Sequence, residues 1–254
     1  MTRWTYIMRL AGPMQAWGTR SRFSVRDTGL EPSKSGVIGL IAAAMGRDRA
    51  QPVDDLAALR FGVRIDRPGV VKVDYHTAGG SHKVDEPYGI RRADGGKASE
   101  AVVSSRYYLS DAVFTAGLEG DEVLLRSVHN ALLAPRYPIY LGRMSFVPSP
   151  PPVFPFRPRH LPGPEDPSGL VALPLEEALA GAPFWIRTDR EKRRLARKME
   201  KGPVLLRVSL EMPPDRAPET RPDVPLNFDR RQFANRGAGD DFVQLAPEIF
   251  EESL

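Results

Sequence analysis

Nine of the chain's 25 prolines fall between positions 148 and 167, beginning with Pro148-Ser149-Pro150-Pro151-Pro152 and continuing at 155, 158, 162, 164 and 167. Proline fixes φ and donates no backbone hydrogen bond, so neither a helix nor an interior strand runs through such a stretch. It predicts a stiff, extended connection. Any fold open to this chain is therefore assembled from the residues on either side. Of the 254 residues, 1–147 suffice for a domain with its own core, and 148–254 then hold the connection and a small C-terminal subdomain.

Within 1–147 the hydrophobic periodicity changes repeatedly. Trp4-Thr5-Tyr6-Ile7-Met8-Arg9-Leu10 alternates as a strand and stops at Gly12-Pro13. A helix opens at Pro32-Ser33-Lys34-Ser35-Gly36, buries Val37, Leu40, Ile41, Ala44 and Met45, and ends near Gly46. Pro52 to Leu59 reads as a short helical turn with an acidic start. Phe61–Asp66 and Val70–Thr77 follow as strands about a Pro68-Gly69 turn; Val71, Val73 and Tyr75 share one face of the second, and Lys72, Asp74 and His76 the other. From Gly79 to about Ser104 the pattern dissolves into glycine and charge, as a projecting hairpin would. Arg106–Leu118 then reads as one long strand, and Asp121 opens a helix with Leu124, Leu125, Val128 and Leu132 on one face, ended by Pro135. A strand at Met144–Val147 completes the order expected of an α+β, ferredoxin-like or RNA-recognition-type domain. Such a fold packs both helices on one sheet face and leaves the other for a ligand. The glycine-aromatic strand motif of typical RNA-recognition modules is absent, so contact falls mainly to loops.

Beyond the connection, Leu173–Leu179 forms a helical turn, and Thr188-Asp189-Arg190-Glu191 is a capping box that opens a helix rich in Lys192, Arg193, Arg194, Arg197 and Lys198. A solvated face is the plain reading of that helix. Val204–Leu210 is a strand.

Composition closes several routes. There is no cysteine, so no disulfide, thiol nucleophile or thiolate zinc site, and His76, His82, His129 and His160 lack ligand spacing. Neither metal nor cofactor is expected. No window approaches the roughly 20 apolar residues of a membrane helix, and the start lacks a signal-peptide pattern, which makes the cytoplasm the expected location. The net charge is only +4, but Arg3, Arg9, Arg20, Arg22, Arg26, Lys34 and Arg47 face only Asp27 and Glu31 in the first 47 residues. That local excess suits a polyanion. Gln15, Trp17, Arg20 and Arg22 have the side chains that stack on bases and hold phosphates, and Ser33, Lys34 and Ser35 stand at a helix N-terminus, where N–H groups favour an anion. The same residues also read as a strand, a loop and a core helix with Trp17 partly buried. A phosphate-cradling NTPase loop is excluded at Gly29–Ser35, because Ser33 stands where that motif needs glycine and Pro32 removes a donor. Arg136, Tyr140 and Arg143 lie in a Pro135–Arg143 run that alternates arginine and tyrosine. His76 reads either as a general base on an RNA 2′-hydroxyl, helped by Lys34 and Tyr75, or as a hydrogen-bonded strand-end histidine.

Four stretches resemble the Cas5 family, and within it the Cas5e (CasD) branch of the type I-E CRISPR Cascade complex: Arg9–Gly18 with Pro32–Gly36, Asp74–Thr77, Pro135–Arg143 and Arg231–Arg236. The resemblance implies a RAMP-type ferredoxin-like domain whose insertion at about 79–104 is a thumb-like hairpin. It also implies a non-catalytic subunit that holds the 5′ handle of CRISPR RNA, caps one end of the Cas7 backbone, contacts the large Cas8e subunit, and meets target DNA through the assembled complex in antiviral defence. On that reading Gln15, Trp17, Arg20 and Arg22 touch handle nucleotides, Ser33, Lys34 and Ser35 hold phosphate, and His76, Arg136, Tyr140 and Arg143 complete the cradle. The alternative within the family is a Cas5d-like, metal-independent endoribonuclease that cuts repeat RNA.

Overall fold

In the computed structural model, which describes residues 2–18, 24–79, 101–154, 160–164, 169–186 and 188–245, the first alternating run forms β1 (Trp4–Ala11). Short β2 (Met14–Gln15) and β3 (Val25–Arg26) precede α1 (Lys34–Ala44), which starts at the N-cap Ser33 and is closed by Gly46 at φ +77°. There follow α2 (Asp54–Ala57), β4 (Arg60–Arg67), β5 (Val70–Ala78), β6 (Val102–Ser110), β7 (Val113–Gly120) and α3 (Glu122–Leu133), capped by Asp121. After the prolines come β8 (Leu170–Val171), α4 (Leu175–Gly181), α5 (Asp189–Glu200), β9 (Leu205–Met212), β10 (Glu219–Asn227) and β11 (Gln232–Gln244).

Seven strands form one sheet in the order β10-β11-β9-β4-β7-β1-β8. Its centre, β4-β7-β1, alternates antiparallel and has α1 and α3 on one face, as a ferredoxin-like core requires. The fourth strand of that core is β8, which pairs antiparallel with β1 at Thr5↔Val171 and Tyr6↔Leu170. The strand expected at Met144–Val147 does not form. Those residues make a tight turn in which Phe146 N–H donates to Arg143 O at 2.9 Å, and Met144 and Val147 are exposed. Because β9 also pairs with β4, residues on both sides of the proline connection share the sheet.

Arg106–Leu118 is likewise two strands. Asp111 adopts φ 58°, and its N–H donates to Pro13 O at 3.1 Å, which turns the chain from one sheet into another. β6 belongs to a second, smaller sheet, flanked along one edge by β5 and along the other by β2 and β3.

The face opposite α1 and α3 is not open, contrary to expectation. α4 lies across it on Gly62 and Gly117, directly opposed residues of β4 and β7; a Cβ on Gly117 would stand 2.6 Å from Leu175 Cδ1. Arg64 points to the same side, fully buried. It donates to Asp66 Oδ1 at 2.6 Å and to the carbonyls of Leu179 at 2.7 Å and Ala182 at 2.6 Å, satisfying the C-terminal end of α4.

Tyr6 is fully buried beneath α3, its hydroxyl 3.1 Å from His129 Nδ1, and burial pushes its ionisation far above the ordinary value. A folded-state pKa raised above the unfolded value gives stability that is complete below the unfolded pKa and lost above it. Unfolding free energy is therefore expected to fall as pH rises beyond about 10, and Tyr6→Phe removes that part of the alkaline slope. Urea titrations from pH 8 to 11 check both.

Candidate nucleic-acid interface

The helix N-terminus read as a phosphate site is already occupied by the protein's own carboxylates. Lys34 is 1 % exposed; its Nζ donates to both carboxylate oxygens of Glu211, at 2.8 and 3.0 Å, and its backbone N–H donates to Asp223 Oδ2 at 2.8 Å. Burial lowers the Lys34 pKa, and the hydrogen bond to Glu211 opposes that shift. Ser33 accepts from Gly36 N–H at 3.2 Å as the helix cap, and its hydroxyl lies 3.4 Å from that of Ser35. Asp223 also holds Arg236, from the Arg231–Arg236 stretch, at 2.7 Å, and Glu31 pairs with both Arg207 and Arg221. These contacts dock the C-terminal strands onto the start of α1.

Gln15 and Trp17 also turn inward, which corrects their reading as nucleotide contacts. Gln15 is fully buried; its amide N–H groups donate to Ala112 O at 2.9 Å and Leu10 O at 3.2 Å, and its oxygen accepts from Trp17 Nε1 at 3.1 Å. The Trp17 ring, 1 % exposed, lies on Gly36, where a Cβ would stand 2.8 Å from its Cε3. The pair is a core device that sets the loop after β1 against α1. Arg20 and Arg22, with residues 80–100 of the expected hairpin, lie outside the described residues.

What remains exposed gathers on the small sheet. The base of the expected thumb is present: β5 and β6 pair in register from Val70↔Ser110 to Ala78↔Val102. Arg106, opposite Asp74 in that ladder, also pairs with Arg26 of β3. Arg143 reaches the same place from the loop after α3; its Nη2 donates to Arg26 O at 3.0 Å and its guanidinium sits 5.5 Å from the Phe146 ring. Partial burial, then repulsion from Arg106 and Arg26, holds the Arg143 pKa below its ordinary value, with Asp27 and Asp74 opposing. Three guanidiniums thus converge, and none has an ion-pair partner among the described residues. Such a cluster attracts an anion.

Gly142 makes this convergence possible. It adopts φ +95°, and a Cβ there would come 1.8 Å from Ala16 O, so the Pro135–Arg143 loop lies directly against the Gln15-Ala16-Trp17 segment. Arg136 stands apart, exposed at the far end of α1, where its N–H closes the helix on Ala44 O. Tyr140 is half-buried between the two arginines of the loop.

His76 is half-exposed on β5, with Nδ1 3.3 Å from Asp74 Oδ2. The trio needed for RNA cleavage is not assembled. Lys34 is held by Glu211 in the main domain, and Tyr75, 70 % exposed, lies on the opposite strand face from His76. That opposite face instead presents Val71, Val73, Tyr75, Val103 and Tyr107, all exposed. Arg106 and Tyr107 were missed in the sequence because the run containing them read as one long core strand; an arginine followed by two tyrosines was the signal.

A family model described as CRISPR-associated protein (Cas_Cas5) matches residues 5–237. The CRISPR system Cascade subunit CasD of Escherichia coli (strain K12) is 38% identical over 153 residues, 55% of this chain, and the match spans 65% of that relative's length. A crystal structure of a Cas protein shares 41% identity at a TM-score of 0.68, covering 97% of both chains. A chain of a CRISPR RNA-guided surveillance complex shares 34% identity at a TM-score of 0.73, covering 97% of this chain and 92% of its own. With the match running through the ferredoxin-like core and on into the C-terminal strands, the chain belongs to the Cas5 family of CRISPR-associated proteins.

Proposed function

We propose that this chain is the Cas5e-type, non-catalytic subunit of a type I-E Cascade complex, holding the 5′ handle of CRISPR RNA in antiviral defence in the cytoplasm. It caps one end of a Cas7 backbone, contacts the large Cas8e subunit and meets target DNA through the assembled complex. The observation that carries the reading is the convergence of Arg26, Arg106 and Arg143 at the root of the β5-β6 hairpin. Cations there hold phosphates, and Tyr75 and Tyr107 on the hairpin's other face offer stacking surface. Kinship with CasD and with a surveillance-complex chain supports the assignment. His76, on the same strand pair, and Tyr140, in the same loop as Arg143, join the cradle; Arg136 stands apart at the far end of α1, and Arg20 and Arg22 are assigned to the handle by family resemblance alone. Lys34 is held by Glu211 and Tyr75 lies on the other strand face, so among the described residues the trio that cutting would need is not assembled around His76, which favours holding over cutting.

The test is binding of CRISPR RNA to Arg26→Gln/Arg106→Gln, leaving Arg143 to brace the β3 backbone. Each lost phosphate contact makes the salt dependence shallower by about 0.7 for a single strand, so the double variant is expected to bind at least tenfold more weakly with a slope reduced by roughly 1.4. An unchanged slope sinks the assignment. Incubation of repeat RNA with the wild-type chain in EDTA should leave it intact; cutting that disappears in His76→Ala would transfer the chain to the Cas5d-like endoribonucleases.

A further inference from the structure

We propose that α5 carries a second nucleic-acid site, which takes the sugar-phosphate backbone of a duplex without reading its bases. Between Asp189 and Lys201 stand seven lysines and arginines against three carboxylates, an excess of four that equals the +4 of the whole chain. Within its main sheet the protein sets arginines on carboxylates: Arg60 on Glu176, Arg64 on Asp66, Arg207 and Arg221 on Glu31, Arg236 on Asp223. On α5 it does not. Among the described residues, none of Arg190, Arg193, Arg194, Arg197, Lys198 and Lys201 makes an ion pair. Of the helix carboxylates, Glu191 is engaged by Arg67 of β4.

The cations are also ordered. Arg190, Arg194, Arg197 and Lys201 follow one another at i, i+4, i+7 and i+11, a single stripe on the helix. Leu195 and Met199 occupy the opposite side and pack on Phe184, Ile186 and Leu245, which fixes the stripe outward. Along it runs a groove of about 870 Å³, with Arg67 at its floor. Arg67 Nη1 is buried there without a hydrogen-bond partner among the described residues. Eleven residues rise roughly 16 Å, the length of about five successive phosphates on one strand of B-form DNA.

The chemistry selects a duplex over a single strand. Single-strand sites combine cations with aromatic platforms for unstacked bases. Between Ile186 and Pro203 there is no aromatic residue, and the guanidiniums and ammoniums that line the groove contact phosphates without carrying sequence. Arg67 closes β4, just before the turn into the β5-β6 hairpin, so the groove opens beside the root of the small sheet. The site does not depend on the guide-RNA reading.

The experiment follows fluorescence anisotropy of labelled 30-base-pair DNA of arbitrary sequence with the full chain, over a salt series, for wild type and for Arg190→Gln/Arg194→Gln/Arg197→Gln/Lys201→Gln. Glutamine keeps helix propensity and no ion pair is removed, so the circular-dichroism spectrum is expected to be unchanged. Four lost phosphate contacts make the salt slope shallower by roughly 3 to 4, with at least tenfold weaker binding at 50 mM salt. Duplex RNA of the same length, bound equally or more weakly, supports the site in either case and tells which duplex fits better. A wild-type slope in the variant overturns the proposal. So does a tenfold preference among DNA sequences, or a variant that loses only a polyglutamate peptide, which would give the groove to an acidic protein.

Discussion

Lys34→Met is expected to destabilise the fold by about 3 kcal/mol, the cost of leaving a largely buried, hydrogen-bonded carboxylate without its counter-ion. Lys34 is 2 % exposed in its side chain and Glu211 21 %. The same Glu211 accepts from the Phe61 N–H at 3.0 Å, so it cannot swing to solvent without abandoning the start of β4. Urea denaturation should show a lower midpoint at unchanged slope. Lys34→Met/Glu211→Gln should recover part of the loss, since neither group is then an unpaired charge. RNA affinity of the variant, measured below its unfolding midpoint, should match wild type. Full stability with weakened RNA binding would return Lys34 to the phosphate role that its place at a helix start suggests.

A larger loss is expected for Arg64→Met, about 4 kcal/mol, or roughly 10 °C or more in Tm for a chain of this size. Arg64 and Asp66 are 0 % and 2 % exposed in their side chains, and Thr115 Oγ1 donates to Asp66 Oδ2 at 2.8 Å. Removal of the guanidinium leaves the Asp66 carboxylate with the Thr115 hydroxyl but no counter-ion, and takes a donor from the carbonyls of Leu179, Ala182 and Pro183. Arg64→Lys should rescue little, because an ammonium cannot reach Asp66 and the α4 carbonyls together in the planar fork that the site uses. Calorimetry of the two variants checks this; a lysine variant at wild-type Tm would show that charge alone is required.

The local frame was legible in the sequence where short-range signals act. Alternation marked β1 and β4, Ser33 and Asp121 marked helix starts, and Gly46 and Pro135 marked helix ends. Contacts between distant segments were not legible. Lys34 reads as an anion contact until Glu211 and Asp223 arrive from some 180 residues later to occupy it. Gln15 and Trp17 read as surface groups until Ala112 O and Gly36 are seen to close over them. Asp111 carries no turn signature that outweighs the apolar run around it, so two strands in two sheets read as one. Leu170-Val171 is too short a strand to show any period, so the sequence pattern points to Met144–Val147 in its place.

The strand order of the main sheet has a consequence for synthesis. Its three central strands, β4, β7 and β1, all emerge within the first 120 residues, while both flanks, β8 on one side and β9 on the other, come from the last third. Until residue 170 leaves the ribosome, the nascent sheet has two unpaired edges and an apolar face awaiting α4. At about 5–20 residues per second, that interval lasts several seconds, during which the half-built sheet offers a template to any neighbouring strand.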